Sequence, residues 1–167
     1  MVQKAGVCVK MCMKTVEVRV AVTPDLAEIN KLIDTAVMNW PMPTRLKRLA
    51  SPILQYDLVD LGFLKVFVAT FNGQVVGVAA WDIATLQGLS NEAGGLFHGL
   101  YVLPLIQGQG VGKKLMSTVF DDARCHQVNG LLIKAQRVSK NYFAHQGIQA
   151  LSVDEGDYPY KYWKALA

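Results

Sequence analysis

Residues 107–112 read Gln-Gly-Gln-Gly-Val-Gly, three glycines at alternate positions just before a helical pattern. The first turn of a helix leaves about four backbone N–H groups without intrahelical partners, and the helix dipole adds to their positive end. Glycine removes the Cβ atoms that would hold a ligand away and permits the turn itself. Lys113 and Lys114 add charge at the same end. A diphosphate is the natural ligand for such a place. Spacing separates it from two commoner nucleotide loops. No Gly-Lys-[Ser/Thr] follows, so the hydroxyl with which a P-loop holds magnesium is missing. The glycines Gly108, Gly110 and Gly112 are spaced G-x-G-x-G rather than G-x-G-x-x-G, and the strand expected next, 130–135, ends at Lys134-Ala135 rather than on an acid.

The elements around this loop can be read from periodicity and turn residues. Val16, Val18, Val20 and Val22 alternate with polar residues, which predicts a half-buried strand over 16–22. Thr23-Pro24-Asp25 then reads as a helix start, with Thr23 as cap, and Leu26, Ile29, Ile33 and Val37 carry a helix over 25–38. Pro41 and Pro43 end it, and a second helix is expected over 44–55. Strands 64–71 and 74–85 flank Asn72-Gly73, the strongest short hairpin signal. A loop rich in Gly, Ser and Asn (87–95) leads to a strand over 96–103, stopped by Pro104. The glycine loop opens a helix in which Val111, Leu115, Val119 and Ala123 recur every four residues. A buried strand (130–135), a short helix (139–146) and two closing strands (150–153 and 158–166) complete the order β-α-α-β-β-β-α-β-α-β-β. A hairpin core makes the fold an α/β (α+β) one, with a mixed, mostly antiparallel sheet of about seven strands and helices on both faces.

Composition narrows the class further. The 167 residues fit one domain, read as residues 16–167, after an N-terminal extension of 15 residues. Half the chain is apolar and 18% is charged, which excludes a disordered protein. No apolar run reaches the ~18–20 residues that span a bilayer, and Lys4, Lys10 and Lys14 interrupt any signal-peptide core. A cytoplasmic protein without a membrane partner is expected. Cys8, Cys12 and Cys125 read as free thiols: the first two are spaced CxxxC, but no second pair of metal-ligand spacing follows, so no metal is expected. The net charge of +4 comes with two loose basic clusters but no nucleic-acid-binding module. Nucleic acid is therefore not an expected partner, whereas an anionic small molecule suits the charge.

Taken in order, these segments resemble the GNAT superfamily of N-acetyltransferases. Gln107-Gly108-Gln109-Gly110-Val111-Gly112 matches the family's Q/R-x-x-G-x-G/A after the fourth strand, and Leu100-Tyr101-Val102-Leu103-Pro104 resembles the usual ending of that strand. Ala135, followed by Ser139-Lys140-Asn141-Tyr142-Phe143-Ala144-His145-Gln146-Gly147-Ile148, is similar to A-x-x-x-A-x-x-F-Y-x-x-x-G-F. Arg19 through Asp25 resembles the common R-x-A-T-P-x-D start. The resemblance implies that acetyl-coenzyme A is the co-substrate, lying in a V between the fourth and fifth strands. Its pantetheine arm would bond to the backbone of Leu100, Tyr101 and Val102. Gln107, Gly108, Gln109, Gly110, Val111, Gly112 and Lys113 would hold its pyrophosphate, and Asn141 would touch it from the next helix.

Acetyl transfer to an amine calls for a base at the amine and a proton for the departing thiolate. Family members often use a fourth-strand carboxylate and a tyrosine, and this chain departs at both places: the positions fall at Leu96 and Phe143. His98, two residues from Leu96 and on the same side of an unbulged strand, is the substitute base; an ordinary half-buried strand histidine is the competing explanation. Tyr142 neighbours the missing acid, although helical geometry turns it elsewhere, toward packing. Glu92 and Asp82 would approach a substrate from loops. Trp40, with Met38, Pro41 and Met42, would border the amine acceptor. The departures leave a non-catalytic acetyl-coenzyme A-binding module open beside the enzyme. The acceptor itself has no code in the sequence, and a homodimer is the default closed assembly.

Overall fold

The computed structural model describes residues 16–84, 94–151 and 160–166. The strands are β1 (Glu17–Val20), β2 (Lys65–Phe71), β3 (Gln74–Ala84), β4 (Gly94–Val102), β5 (Gly130–Ala135), β6 (Gln149–Ala150) and β7 (Tyr160–Ala165). The helices are α1 (Leu26–Met38), α2 (Thr44–Leu54), α3 (Leu58–Phe63), α4 (Val111–Cys125) and α5 (Lys140–His145). All seven strands form one sheet in the order β1-β2-β3-β4-β5-β7-β6. Every pairing is antiparallel except β4 with β5. The mixed, mostly antiparallel sheet expected from the sequence is the sheet observed. Among the described residues no helix is long and apolar enough to cross a membrane.

Side chains alternate across β2 and β3, and each face takes one long helix. On one face α1 buries Ile29, Leu32, Ile33, Ala36 and Val37 against Val66, Val68, Val75 and Val78. On the other, α4 buries Val111, Leu115, Met116, Val119, Phe120 and Ala123 against Phe67, Ala69, Val76, Ala79 and Trp81. The fully buried Trp81 donates its indole N–H to Asp122 Oδ2 at 2.9 Å, which fixes α4 along the sheet. The Asn72-Gly73 turn has φ values of 49° and 78°, the left-handed pair that a two-residue hairpin needs.

Two local expectations change. Thr23 does not cap α1: Asp25 stands at the N-cap and makes no side-chain cap bond to the helix, its Oδ2 taking instead the upstream Val22 N–H at 2.8 Å. The same carboxylate takes a two-pronged ion pair from Arg19, at 2.6 and 2.8 Å, tying the end of β1 to the start of α1. The helix α3 is an addition to the expected order. It has only six residues and leaves Leu58, Val59 and Phe63 exposed, so it shows no buried stripe. Its signal is the capping box, in which Asp57 accepts from Val59 and Asp60 N–H and Asp60 accepts from Asp57 N–H. The expected strands over 150–153 and 158–166 are described only at Gln149–Ala150 and Tyr160–Ala165; the extension 1–15 and the loop holding Glu92 lie outside the described residues.

This packing sets two expected outcomes. Leu115 is fully buried between α4 and the sheet, so Leu115→Ala should cost about 2–5 kcal/mol in urea unfolding. The hydrogen bonds of Arg19, and then the Val22 N–H, hold the Asp25 carboxyl below its ordinary range against the opposing effect of burial. A folded-state pKa lowered in this way contributes stability above the unfolded value of ~3.9, lost as the pH falls through the folded one. Asp25→Ala should therefore lower stability by about 1–3 kcal/mol at neutral pH. Calorimetry at falling pH should show its difference from the wild type shrinking below about pH 4.

Candidate active site

The parallel pairing of β4 with β5 runs only from Gly94↔Gly130 to Phe97↔Ile133. Beyond it β4 continues to Val102 along β3 and β5 continues to Ala135 along β7, so the two strands part. Between them opens a cavity of about 660 Å³. Its ionisable lining residues are His98, Tyr101, Lys113, Lys134 and Tyr142, and no carboxylate lines it among the described residues. The electrostatics favour an anion.

One end of the cavity is the start of α4. Gly108 and Gly110 have φ of 76° and 83°, which a Cβ would strain, and Gly110 is the residue from which the helix begins. Gly112 is needed for space: a Cβ there would lie 2.9 Å from the Tyr142 hydroxyl. The open N–H groups of the first turn face this end, with Lys113 on the wall. Lys114 is not part of it, since its ammonium donates to the Val16 carbonyl and joins α4 to the start of β1.

Tyr142 lines the cavity rather than turning away from it, and Phe143 is the ring that goes to the core, against Phe97 and Tyr162. The Tyr142 hydroxyl is buried with no hydrogen-bond partner, as is Gln109 Oε1. Burial raises the phenol's pKa, so it stays a donor. A buried donor left unpaired costs about 1–3 kcal/mol, and a ligand acceptor at the α4 N-terminus would relieve it. The residues present therefore fit a phosphorylated ligand.

Leu100, Tyr101 and Val102 line the cavity, as do Gln107, Gly108, Gly110, Val111, Gly112 and Lys113. The Gln107 amide donates to the Val102 carbonyl at 3.0 Å and closes the end of β4. Gln109 and Asn141 do not line it; Asn141 lies on the exposed side of α5, whereas Tyr142 and Gln146 face inward. Trp40 and Pro41, after α1, form an apolar wall.

At the opposite wall β4 bulges. Ala80 pairs with Gly99 and Trp81 with Phe97, which leaves His98 as the extra residue. Asp82, the register partner of Leu96, meets His98 Nε2 at 3.0 Å through Oδ1, so His98 and Leu96 do share a face. Asp82 belongs to β3, not to a loop. An ionised carboxylate only accepts, so this contact places the imidazole proton on Nε2 and leaves Nδ1 as the acceptor. Sequence reasoning missed the pair, whose signal was the register of the β3–β4 hairpin.

A splayed parallel pair in an otherwise antiparallel sheet, with a glycine-led helix start at its mouth, suits an extended ligand that carries a phosphate. The family model described as "Acetyltransferase (GNAT) domain" matches residues 63–148, more than half of the chain. The chain belongs to the GNAT acetyltransferase family. No curated protein matches it in sequence. Among solved structures it is similar to the PaiA N-acetyltransferase of Thermoplasma acidophilum in complex with coenzyme A. That match has a TM-score of 0.74 and 12% identity, and covers 90% of this chain and 98% of that one. It is also similar to a GNAT family acetyltransferase from Brucella melitensis in complex with acetyl-CoA, with a TM-score of 0.65, 20% identity, and 91% and 88% covered. N-acetylglutamate synthase from Neisseria gonorrhoeae, complexed with coenzyme A and N-acetyl-glutamate, aligns over 91% of this chain but 35% of its own (TM-score 0.65, 20% identity).

The glycine loop can be tested by binding. Coenzyme A at ~100 times its dissociation constant should add about 2.7 kcal/mol, a rise in Tm of several degrees. Gly110→Glu, which places an anion and a Cβ at φ 83°, should abolish that rise. Gly112→Ala, whose one tight contact is the tip of the Tyr142 side chain, should fold normally and reduce the rise.

Proposed function

We propose that this protein transfers the acetyl group of acetyl-coenzyme A to a primary amine, of a small molecule or a protein, by direct attack of the amine on the thioester. The observation that carries this is the cavity between β4 and β5, which joins an anion-binding helix start to the paired His98 and Asp82. The pyrophosphate would lie on the N–H groups of residues 108–113, with Lys113 and the Tyr142 hydroxyl beside it. Tyr142 then serves the diphosphate end rather than the thioester. The backbone of Leu100, Tyr101 and Val102, which line the cavity beyond the last β4–β5 pair, would hold the pantetheine arm as a strand is held.

In this arrangement Asp82 orients His98, and Nδ1 takes a proton from the acceptor, either from its ammonium before attack or from the amine nitrogen as the neutral amine attacks. The carbon–sulfur bond breaks as the carbon–nitrogen bond forms, and the departing thiolate acquires a proton. A thiolate is a good leaving group, so positioning supplies much of the rate even without a dedicated acid. Phe143, buried in the core, has no hydroxyl to give. Trp40 and Pro41 shape the acceptor side as an apolar wall, which suits an amine with an apolar body.

Release of free thiol from acetyl-coenzyme A in the presence of a panel of apolar primary amines measures this directly. His98→Gln should lower kcat by about 10²–10⁴-fold while leaving the coenzyme A-dependent rise in Tm in place. Asp82→Asn should lower kcat by at least about tenfold, by permitting the wrong imidazole tautomer. Unchanged turnover in His98→Gln would assign the histidine to packing.

A further inference from the structure

The cavity between β4 and β5 passes through the sheet, and its two sides differ. Phe97 and Ile133, the last β4–β5 pair, both pack into the core under α4. Leu96 and Leu132, the pair before them, turn to the other face, the one that α1 covers further along the sheet. His98 shares that face with Leu96, and Lys134, two residues after Leu132 on β5, shares it as well. Trp40, which follows α1 and packs on the core beneath it, walls the cavity on this side. The glycine loop, Lys113 and Tyr142 belong to the α4 side.

Lys134 is the charge that the acetyl-transfer steps leave unused. It is the exposed residue of β5, it lines the cavity, and among the described residues it has no ion-pair partner. A lysine whose stem covers apolar surface while its head stays in water would account for the exposure alone. The position asks for more. Neighbouring strands lie ~5 Å apart, so Lys134 stands next to His98 across the divide, on the side from which an acceptor approaches. An amine at His98 Nδ1 would bring whatever it carries a bond or two away within reach of the lysine's flexible stem. A carboxylate is the monoanion that matches one ammonium. A polyamine would instead bring a second positive charge to a wall that holds Lys134 and no described carboxylate.

We propose that the acceptor is an amino acid with an apolar side chain, its amine at His98, its carboxylate on Lys134 and its apolar body against Trp40 and Pro41. This rests on the acetyl-transfer reading and adds the substrate class to it. The lysine is exposed, so its selection for the carboxylate weakens as ionic strength rises.

Thiol release from acetyl-coenzyme A by the full chain tests it with two matched series of acceptors. One is phenylalanine, phenylalaninamide and 2-phenylethylamine; the other is leucine, leucinamide and 3-methylbutylamine. The amines differ in basicity, so the decisive quantity is the kcat/KM ratio of amino acid to amide, compared between the wild type and Lys134→Gln. Lys134→Gln should lower that ratio about fivefold or more, through a raised KM for the amino acid. Lys134→Arg should keep most of it. The coenzyme A-dependent rise in Tm shows which variants are folded. An unchanged ratio in Lys134→Gln would overturn the carboxylate site and leave acetyl transfer standing. So would an equal loss for every acceptor, which marks the lysine as structural, or wild-type turnover of the amides and amines but not of the amino acids. Thiol release with neither series would overturn this substrate class, and release with no amine of any kind the acetyl-transfer reading as well.

Discussion

The structure depends on the point where β4 leaves β5. Parallel strands bonded along their whole length would leave no cavity, and here the ladder stops after Phe97↔Ile133. Each strand keeps a partner on its other side, β3 for β4 and β7 for β5, so the sheet opens without either strand being lost. Beyond Phe97 the residues of β4 line the cavity instead of continuing the ladder with β5. The core maintains the opening. Phe97 packs on Phe120 and Phe143, and Phe143 on Tyr162, so aromatic rings from β4, α4, α5 and β7 brace one face of the divide.

The opening also divides the chemistry. The helix α4 begins where the strands part, and its free N–H groups make one end of the cavity electropositive, with no carboxylate among the described lining residues to offset it. The bulge at His98 lies at the divide itself, and it sets the imidazole beside Asp82 on the face opposite the Trp81 side chain. Bulges re-aim side chains at the cost of one unpaired residue. Under the acetyl-transfer reading, binding and proton transfer are served by different parts of the same strand: its end beyond Phe97 lines the cofactor cavity, and its bulge presents the base.

Much of the frame is legible in the residues. Asn72-Gly73 marks the hairpin, the four-residue recurrence from Val111 marks α4, and residues 107–112 mark the helix start, because each of these signals is local. The helix α3 is not legible in the same way, since six residues with an exposed apolar side show no periodic buried stripe and only a capping box marks them. Local propensity ranks Thr23 well as the cap of α1, whereas Asp25 stands at the N-cap with its carboxylate turned back to the Val22 N–H and to Arg19 on the neighbouring strand. Motif position points to Asn141 as a cofactor contact, but the helix turns it to solvent and turns Tyr142 and Gln146 inward.

By itself the sequence determined the order of the strands and the longer helices, the mixed sheet and the glycine-led start of α4. These follow from periodicity, turn chemistry and unpaired N–H groups within a few residues of one another. Tertiary structure alone decided that Asp82 meets His98, that the Tyr142 hydroxyl meets Gly112, and that Lys134 and His98 line one cavity. Those partners are brought together by strand register, a one-residue bulge and the crossing of α4 over the sheet. None of these leaves a local mark: a slip of one residue in strand register would send a strand side chain to the opposite face, and one residue along a helix turns a side chain by about 100°.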